Sequence, residues 1–161
     1  MLIREARPEE LARVGDIRVA AYRADGFLPE GARYEPILRA LGDDGVGDVL
    51  VAERSDGELV GTVMLQRWPQ TGQVVAGPDE AEIRALAVLP AARGHGLGRA
   101  LLAFVLDRAV RAGARRMVLS TEPAMKAAHH LYESTGFRRL PERDWSPVSG
   151  LTLLVYGLDL A

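Results

Sequence analysis

The sequence predicts a mixed α/β domain with a mostly antiparallel central sheet, about four flanking helices and one parallel strand pair. Three observations carry that prediction. Two helical stretches precede a run of strands joined by a tight Asp56-Gly57 turn, a hairpin signal. The second half then alternates strand, helix, strand, helix, and a helix between two strands is the usual crossover of a parallel pair. The chain has 161 residues, which fits a single domain over 1-161, long enough to bury roughly two thirds of its unfolded surface.

In order, Leu2 and Ile3 open a short strand that ends near Pro8. Glu9 to Ala24 carries Leu11, Val14, Ile17, Val19, Ala20 and Ala21 at helical spacing. Asp25-Gly26-Phe27-Leu28-Pro29 breaks that helix, and Glu30 to Leu41 forms a second one through Tyr34, Ile37, Leu38 and Leu41. Val49 to Ala52 and Leu59 to Leu65 are the hairpin strands. Trp68 to Asp79, rich in proline and glycine, is a loop before the strand Ala81 to Val88. Leu97, Leu101, Phe104 and Val105 line one face of a helix that ends near Gly113. Arg116 to Ser120 is a strand, Pro123 stands where the next helix can begin, and Gly136 stops that helix. Phe137 to Leu140 and Leu151 to Tyr156 are the last strands, with an irregular segment from Pro141 to Gly150.

Composition narrows the function. Hydrophobic residues make up 48% and charged residues 26%, an ordinary globular balance, with no run of about 18 apolar residues to span a membrane. The first residues carry charge at Arg4 and Glu5 and lack a signal-peptide pattern, so cytoplasm is the expected compartment. A net charge of -2 argues against general nucleic-acid binding. Cysteine is absent, which excludes disulfides and a thiol nucleophile, and the three histidines show no zinc-ligand spacing; no metal is expected.

The chain is organised around Arg93-Gly94-His95-Gly96-Leu97-Gly98, between a strand and a helix. Glycines let backbone N-H groups approach a ligand, and a helix start offers unpaired N-H groups at the positive end of its dipole. That is an anion site suited to phosphate or pyrophosphate. A dinucleotide fingerprint fails, because Arg99 or Leu101 stands where its third glycine belongs. A nucleoside-triphosphate loop fails too, since the only lysine is Lys126.

With Leu86-Ala87-Val88 before the turn and Leu131-Tyr132-Glu133-Ser134-Thr135-Gly136-Phe137 after it, the sequence resembles the GNAT family of N-acetyltransferases. The family's Arg/Gln-x-x-Gly-x-Gly/Ala pattern is matched by Arg93, Gly96 and Gly98, and its later Leu-Tyr-x-x-x-Gly-Phe pattern is matched throughout. The resemblance implies acetyl-CoA as cosubstrate. Its pyrophosphate would lie on the N-H groups of Arg93, Gly94, His95, Gly96, Leu97, Gly98 and Arg99, and its pantetheine arm beside Leu86, Ala87 and Val88. The family also implies a departure at Met125, where many relatives carry an asparagine that helps hold the cofactor or the helix start.

Acetyl transfer to an amine needs a neutral nucleophile, a stabilised oxyanion and a proton for the leaving thiolate. An alkylammonium has a pKa of about 10.4 and a thiol about 8.5, so the base matters at least as much as the acid. By resemblance, Tyr132 is the candidate acid, and its alternative role is packing the helix on the sheet. Glu82 matches the glutamate that histone-acetyltransferase-like relatives use as base; it could equally be a surface charge or a partner of Arg84. At strand periodicity Glu82, Arg84, Leu86 and Val88 share a face. His129, one helical turn before Tyr132, or water, is the rival base. Trp145 either walls the acceptor pocket or packs. The expected activity is direct transfer in a ternary complex to a small amine, an amino acid, an antibiotic or a protein amine. The alternative is an acyl-CoA sensor without turnover. The last strand, Leu151 to Tyr156, is apolar enough to pair with a second copy in a homodimer.

Overall fold

Strands and helices follow the expected order in the computed structural model, which describes residues 1-70 and 74-160. They are β1 (Leu2–Glu5), α1 (Leu11–Ala24), α2 (Tyr34–Ala40), β2 (Asp48–Glu53), β3 (Leu59–Arg67), β4 (Glu80–Val88), α3 (Leu97–Arg111), β5 (Arg116–Thr121), α4 (Lys126–Ser134), β6 (Arg138–Arg139), β7 (Trp145–Val148) and β8 (Leu151–Asp159). The architecture is mixed α/β, with antiparallel pairings and a parallel β4-β5 pair. Residues group into two compact units, Met1–Leu65 with Ala85–Val105 and Gln66–Arg84 with Leu106–Ala161. No helix among the described residues is long and apolar enough to cross a membrane.

In the first unit β1, β2 and β3 form an antiparallel meander, with Leu2 opposite Glu53 and Asp48 opposite Leu65. β3 is buried from Leu59 to Gln66, so its one hydroxyl needs a partner: Thr62 Oγ1 donates to the Leu50 carbonyl at 2.7 Å. The apolar stripe of α1, Val14, Ile17 and Ala21, packs on Val49, Val51, Leu59, Met64 and Ala87. Each such large side chain withdrawn from water contributes about 1.5–3 kcal/mol. Arg18, on the same helix, is fully buried, and its Nη1 donates to the carbonyls of Leu38 (3.0 Å) and Leu41 (2.7 Å) at the end of α2. That cation answers the orphan carbonyls of a helix C-terminus. α2 is shorter than the predicted Glu30 to Leu41 stretch, because Gly31 takes a left-handed φ of 74° and regular helix begins at Tyr34.

In the second unit β4 and β5 run parallel, with Glu80, Ala81 and Glu82 opposite Arg116, Met117 and Val118. β8 pairs with β5 on one edge and with β6 and β7 on the other. The segment Pro141 to Gly150, predicted as irregular, instead holds a 3-10 turn (Pro141–Arg143) and β7. Pro147 hid that strand from the sequence, since proline disfavours a central strand but is tolerated in a short hairpin arm. α4 begins at Lys126 and not at Pro123, because a turn closed by Met125 N-H to the Glu122 carbonyl (3.0 Å) comes first. Part of the predicted Trp68 to Asp79 loop, residues 71-73, lies outside the described residues.

β4 gives Glu80 to Arg84 to one unit and Ala85 to Val88 to the other. Ala85 has φ 54°, the positive-φ non-glycine among the described residues. A left-handed residue breaks strand alternation, so the shared face expected from Glu82 through Val88 does not continue across Ala85. Ala85 packs on the cluster of Val19, Leu28 and Leu38, which holds the kink in place.

Candidate functional site

The glycine turn leaves β4 through Leu89 and a 3-10 turn at Pro90–Ala92, and enters α3 at Leu97. Gly94 and Gly96 sit at φ 85° and 79°, and a Cβ at either would meet nothing within 4 Å. The turn is thus an open cradle whose backbone is unshielded by side chains. The α3 ladder opens with Ala100 N-H donating to the Gly96 carbonyl (3.0 Å), so the N-H groups of the first turn stand outside it. Leu97 is buried and anchors the helix start: a Cβ on Gly61 of β3 would lie 3.3 Å from Leu97 Cδ2, 3.0 Å from Leu101 Cδ1 and 3.4 Å from the Ala87 carbonyl. The close approach at Gly61 therefore sets where the turn stands.

Arg93 does not offer its guanidinium to the cradle. Its Nε donates to the Val88 carbonyl (3.0 Å), Nη1 pairs with Asp25 (2.7 Å) and Nη2 reaches the Ala21 carbonyl (3.4 Å). The side chain ties the turn to the end of α1. His95 and Arg99 are exposed, and Ala87 is buried with Leu86 and Val88 half-buried on either side. The described β4-β5 register ends at Glu82 opposite Val118, upstream of Leu86.

In the second unit Glu82 is only 1% exposed, and its Oε1 accepts from the Val74 N-H at 3.4 Å. Two residues earlier, Glu80 takes a fork from Arg143, Nη1 to Oε2 at 2.9 Å and Nη2 to Oε1 at 2.8 Å, plus the Ala76 N-H at 2.9 Å. Burial alone would raise the Glu80 carboxyl, but these bonds and the charges of Arg143 and Arg116 hold it below its ordinary value. Sequence reading missed this cluster; a lone arginine in an irregular segment gives no periodic signal.

Tyr132 is 7% exposed, with ring centroids 5.7 Å from Phe137 and 6.2 Å from Tyr156. No described residue hydrogen-bonds its hydroxyl, so the packing role accounts for the ring and not for the oxygen. Burial pushes its pKa up to about 12. Below it, His129 Nε2 lies 3.1 Å from the Glu122 carbonyl and 3.3 Å from Thr121 Oγ1, while Thr121 Oγ1 donates to Met125 Sδ at 3.6 Å. A carbonyl acceptor fixes the proton on Nε2, the assignment this network requires. Burial holds the His129 pKa below its ordinary value, so the ring is neutral and its Nε2 is committed to structure. These contacts stand at an α4 start that has no side-chain cap at Met125. Trp145 Nε1 donates to Ser120 Oγ at 3.1 Å, which fixes the half-buried indole against the end of β5.

The structure thus gathers Leu86, Ala87, Val88 and Arg93 to Arg99 in the first unit, and Glu82, Tyr132, His129 and Trp145 in the second. A cavity of about 260 Å³ in the second unit is lined by Arg116, Gly136, Arg138, Leu140, Gly157, Leu158 and Asp159, none of which belongs to the expected site.

Comparison with known proteins bears on what this arrangement belongs to. Residues 12–137 match the Acetyltransferase (GNAT) family. A mycothiol acetyltransferase of Cellulomonas flavigena is 38% identical over 92 residues, 56% of this chain and 26% of that protein. The N-alpha-acetyltransferase RimI of Mycobacterium tuberculosis is 39% identical over 101 residues, 62% of this chain and 59% of that one. The chain therefore spans between about a quarter and three fifths of the length of these relatives. Among solved structures, yncA of Salmonella typhimurium, determined with its cofactor acetyl-CoA, superposes with TM-score 0.70 at 27% identity, covering 100% of this chain and 94% of that one. A GNAT acetyltransferase of Staphylococcus aureus Mu50 shares the fold at TM-score 0.76 and 17% identity, with 99% of each chain covered. Taken with the glycine turn and the Tyr132 motif, the family match over most of its length places this chain in the GNAT acetyltransferase family.

Proposed function

We propose that the chain is an acetyl-CoA-dependent N-acetyltransferase that moves the acetyl group directly to a primary amine in a ternary complex. The observation that carries this reading is the open cradle at Gly94 and Gly96, left-handed and without neighbours where a Cβ would stand, at the start of α3. A pyrophosphate fits such a cradle through backbone N-H groups of Gly94 to Arg99 and the helix dipole. The pantetheine amides would pair with the backbone of Leu86, Ala87 and Val88, as an added strand does. Arg93 would shape the turn and leave the contact to the residues after it, since its guanidinium is held by Val88, Asp25 and Ala21 and its own N-H closes on the Pro90 carbonyl at 3.2 Å.

Bound acetyl-CoA supplies the thioester whose carbonyl carbon the amine attacks. Of the chain's own groups, Glu82 is the proposed proton acceptor for the amine, directly or through a water. Tyr132 is the proposed donor to the departing sulfur. With a pKa of about 12 its hydroxyl stays protonated at neutral pH. Full transfer to a thiolate of pKa about 8.5 would be uphill by roughly 5 kcal/mol, so Tyr132 acts as a hydrogen-bond donor and keeps its proton. The sulfur takes its final proton from solvent.

The relatives' names, mycothiol acetyltransferase and N-alpha-acetyltransferase among them, do not converge on one acceptor. The test is therefore release of free CoA across a panel of small amines, amino acids and peptides, beside thermal stabilisation by acetyl-CoA. Amine-dependent release supports the proposal. Stabilisation with no release from any amine would make the chain an acyl-CoA sensor, and stabilisation by NAD but not acetyl-CoA would remove the cofactor reading altogether.

A further inference from the structure

We propose that Arg143 is a positioning residue for Glu82, acting through the Val74 backbone; its catalytic consequence rests on Glu82 being the base. The backbone of one residue, Val74, joins the two side chains. Arg143 Nη2 donates to the Val74 carbonyl, and the Val74 N-H donates to Glu82 Oε1 at 3.4 Å. The Val74 carbonyl and N-H belong to successive planar peptide groups that meet at the Val74 Cα, so fixing the carbonyl fixes the direction of the N-H only when the Val74 φ and ψ are also held. Glu80 supplies that second hold. It takes the Arg143 fork and, through Oε1, the N-H of Ala76, so Val74 and Ala76 are pinned from one side by one carboxylate-guanidinium pair.

The platform carrying Arg143 is itself rigid. Arg143 N-H closes the 3-10 turn on the Leu140 carbonyl (2.9 Å), Leu140 N-H donates to the Val155 carbonyl (2.8 Å), and Asp144 Oδ1 accepts the Val155 N-H (2.9 Å). Both flanks of Arg143 are thereby clamped to β8. The Arg143 and Glu80 side chains are 21% and 12% exposed, so the fork is sheltered and more effective than a surface pair. Arg143 thus holds the backbone of one loop residue, Val74, against the buried carboxylate of Glu82. A lysine could keep the charge there but not a fork that serves Glu80 and the Val74 carbonyl together.

The test follows Val74 amide hydrogen exchange by NMR in the intact chain, with turnover measured on the same proteins. Arg143→Gln should speed Val74 exchange roughly tenfold, the scale of one sheltered hydrogen bond, with Arg143→Lys intermediate. Both should lower kcat/KM for the amine, and adding Arg143→Gln to Glu82→Gln should lower it no further, as for residues acting in series. If Arg143→Gln folds poorly, Arg143→Lys alone decides by the same exchange measurement. Unchanged Val74 exchange, or losses that multiply in the double variant, would overturn the proposal. A fully active Glu82→Gln enzyme would instead remove Glu82 as the base, and Val74 exchange would still decide whether Arg143 positions that carboxylate.

Discussion

Replacing Tyr132 with phenylalanine separates its chemistry from its packing. The ring contacts with Phe137 and Tyr156, at 5.7 and 6.2 Å between centroids, survive the change. No described residue loses a hydrogen-bond partner, so stability should move by less than about 1 kcal/mol. What disappears is one donor to a developing thiolate. A hydrogen bond to a charged group is worth about 1.5–3 kcal/mol, and about 1.4 kcal/mol is tenfold in rate, so kcat should fall roughly 10- to 100-fold. Acetyl-CoA affinity should stay within about twofold, because the ground-state thioester sulfur is a poor acceptor. The assay is steady-state turnover at saturating amine, with acetyl-CoA binding by calorimetry and urea unfolding on the same samples. An unchanged kcat, or losses of affinity and stability that parallel the rate loss, would refute the donor role.

Three further outcomes are expected. His129 has a folded pKa below its unfolded value near 6.5, so the folded state resists its protonation; stability is present above pH about 6.5 and lost as pH falls below it. His129→Leu should flatten that slope in pH-dependent unfolding and, by orphaning the Glu122 carbonyl, lower stability by about 1–3 kcal/mol. Gly61→Val should drive α3 off β3, costing about 1–3 kcal/mol by overpacking and weakening acetyl-CoA binding, whereas Gly61→Ala presses only on the flexible ends of Leu97 and Leu101 and on the Ala87 carbonyl at ordinary contact distance. Glu10, hydrogen-bonded by Arg4, has its carboxyl held down at about 2 against an ordinary 4.5. Its contribution is present above pH 4.5 and lost toward pH 2, and Glu10→Gln should remove that part of the acid limb in urea titrations.

Periodic features were legible in the sequence because burial imposes them. The apolar stripe of α1 and the largely apolar run of β3, interrupted by Thr62, follow from where water is excluded, and the Asp56-Gly57 turn follows from the φ above zero that Gly57 adopts, 89°. Non-periodic features were not. The kink at Ala85 is invisible because alanine carries no preference for a left-handed backbone; tertiary packing on Val19, Leu28 and Leu38 imposes it. Nor could spacing show that a buried Arg18 caps α2, or that Arg143 reaches Val74 across a long stretch of chain. The start of α4 is an intermediate case. Proline is a fair sign of a helix start, but the turn over Glu122 to Met125 delays the helix, and His129 takes a backbone carbonyl at the uncapped end.

Arg93 carries the sharpest lesson about motif reading. In the sequence it is the basic residue of a phosphate turn, expected to meet the ligand through its backbone N-H. In the structure its guanidinium satisfies Val88, Asp25 and Ala21, so its charge is paired before any ligand arrives. The positive potential of the turn then rests on N-H groups and the α3 dipole, which a side chain cannot withdraw. An arginine is nonetheless suited to the position, since one planar fork can serve two backbone carbonyls and a carboxylate that a lysine would have to choose among. Arg93→Lys should therefore loosen the turn against α1 and weaken acetyl-CoA binding even though the formal charge is unchanged. Arg93→Lys with wild-type affinity would show that the glycine backbone holds its shape unaided.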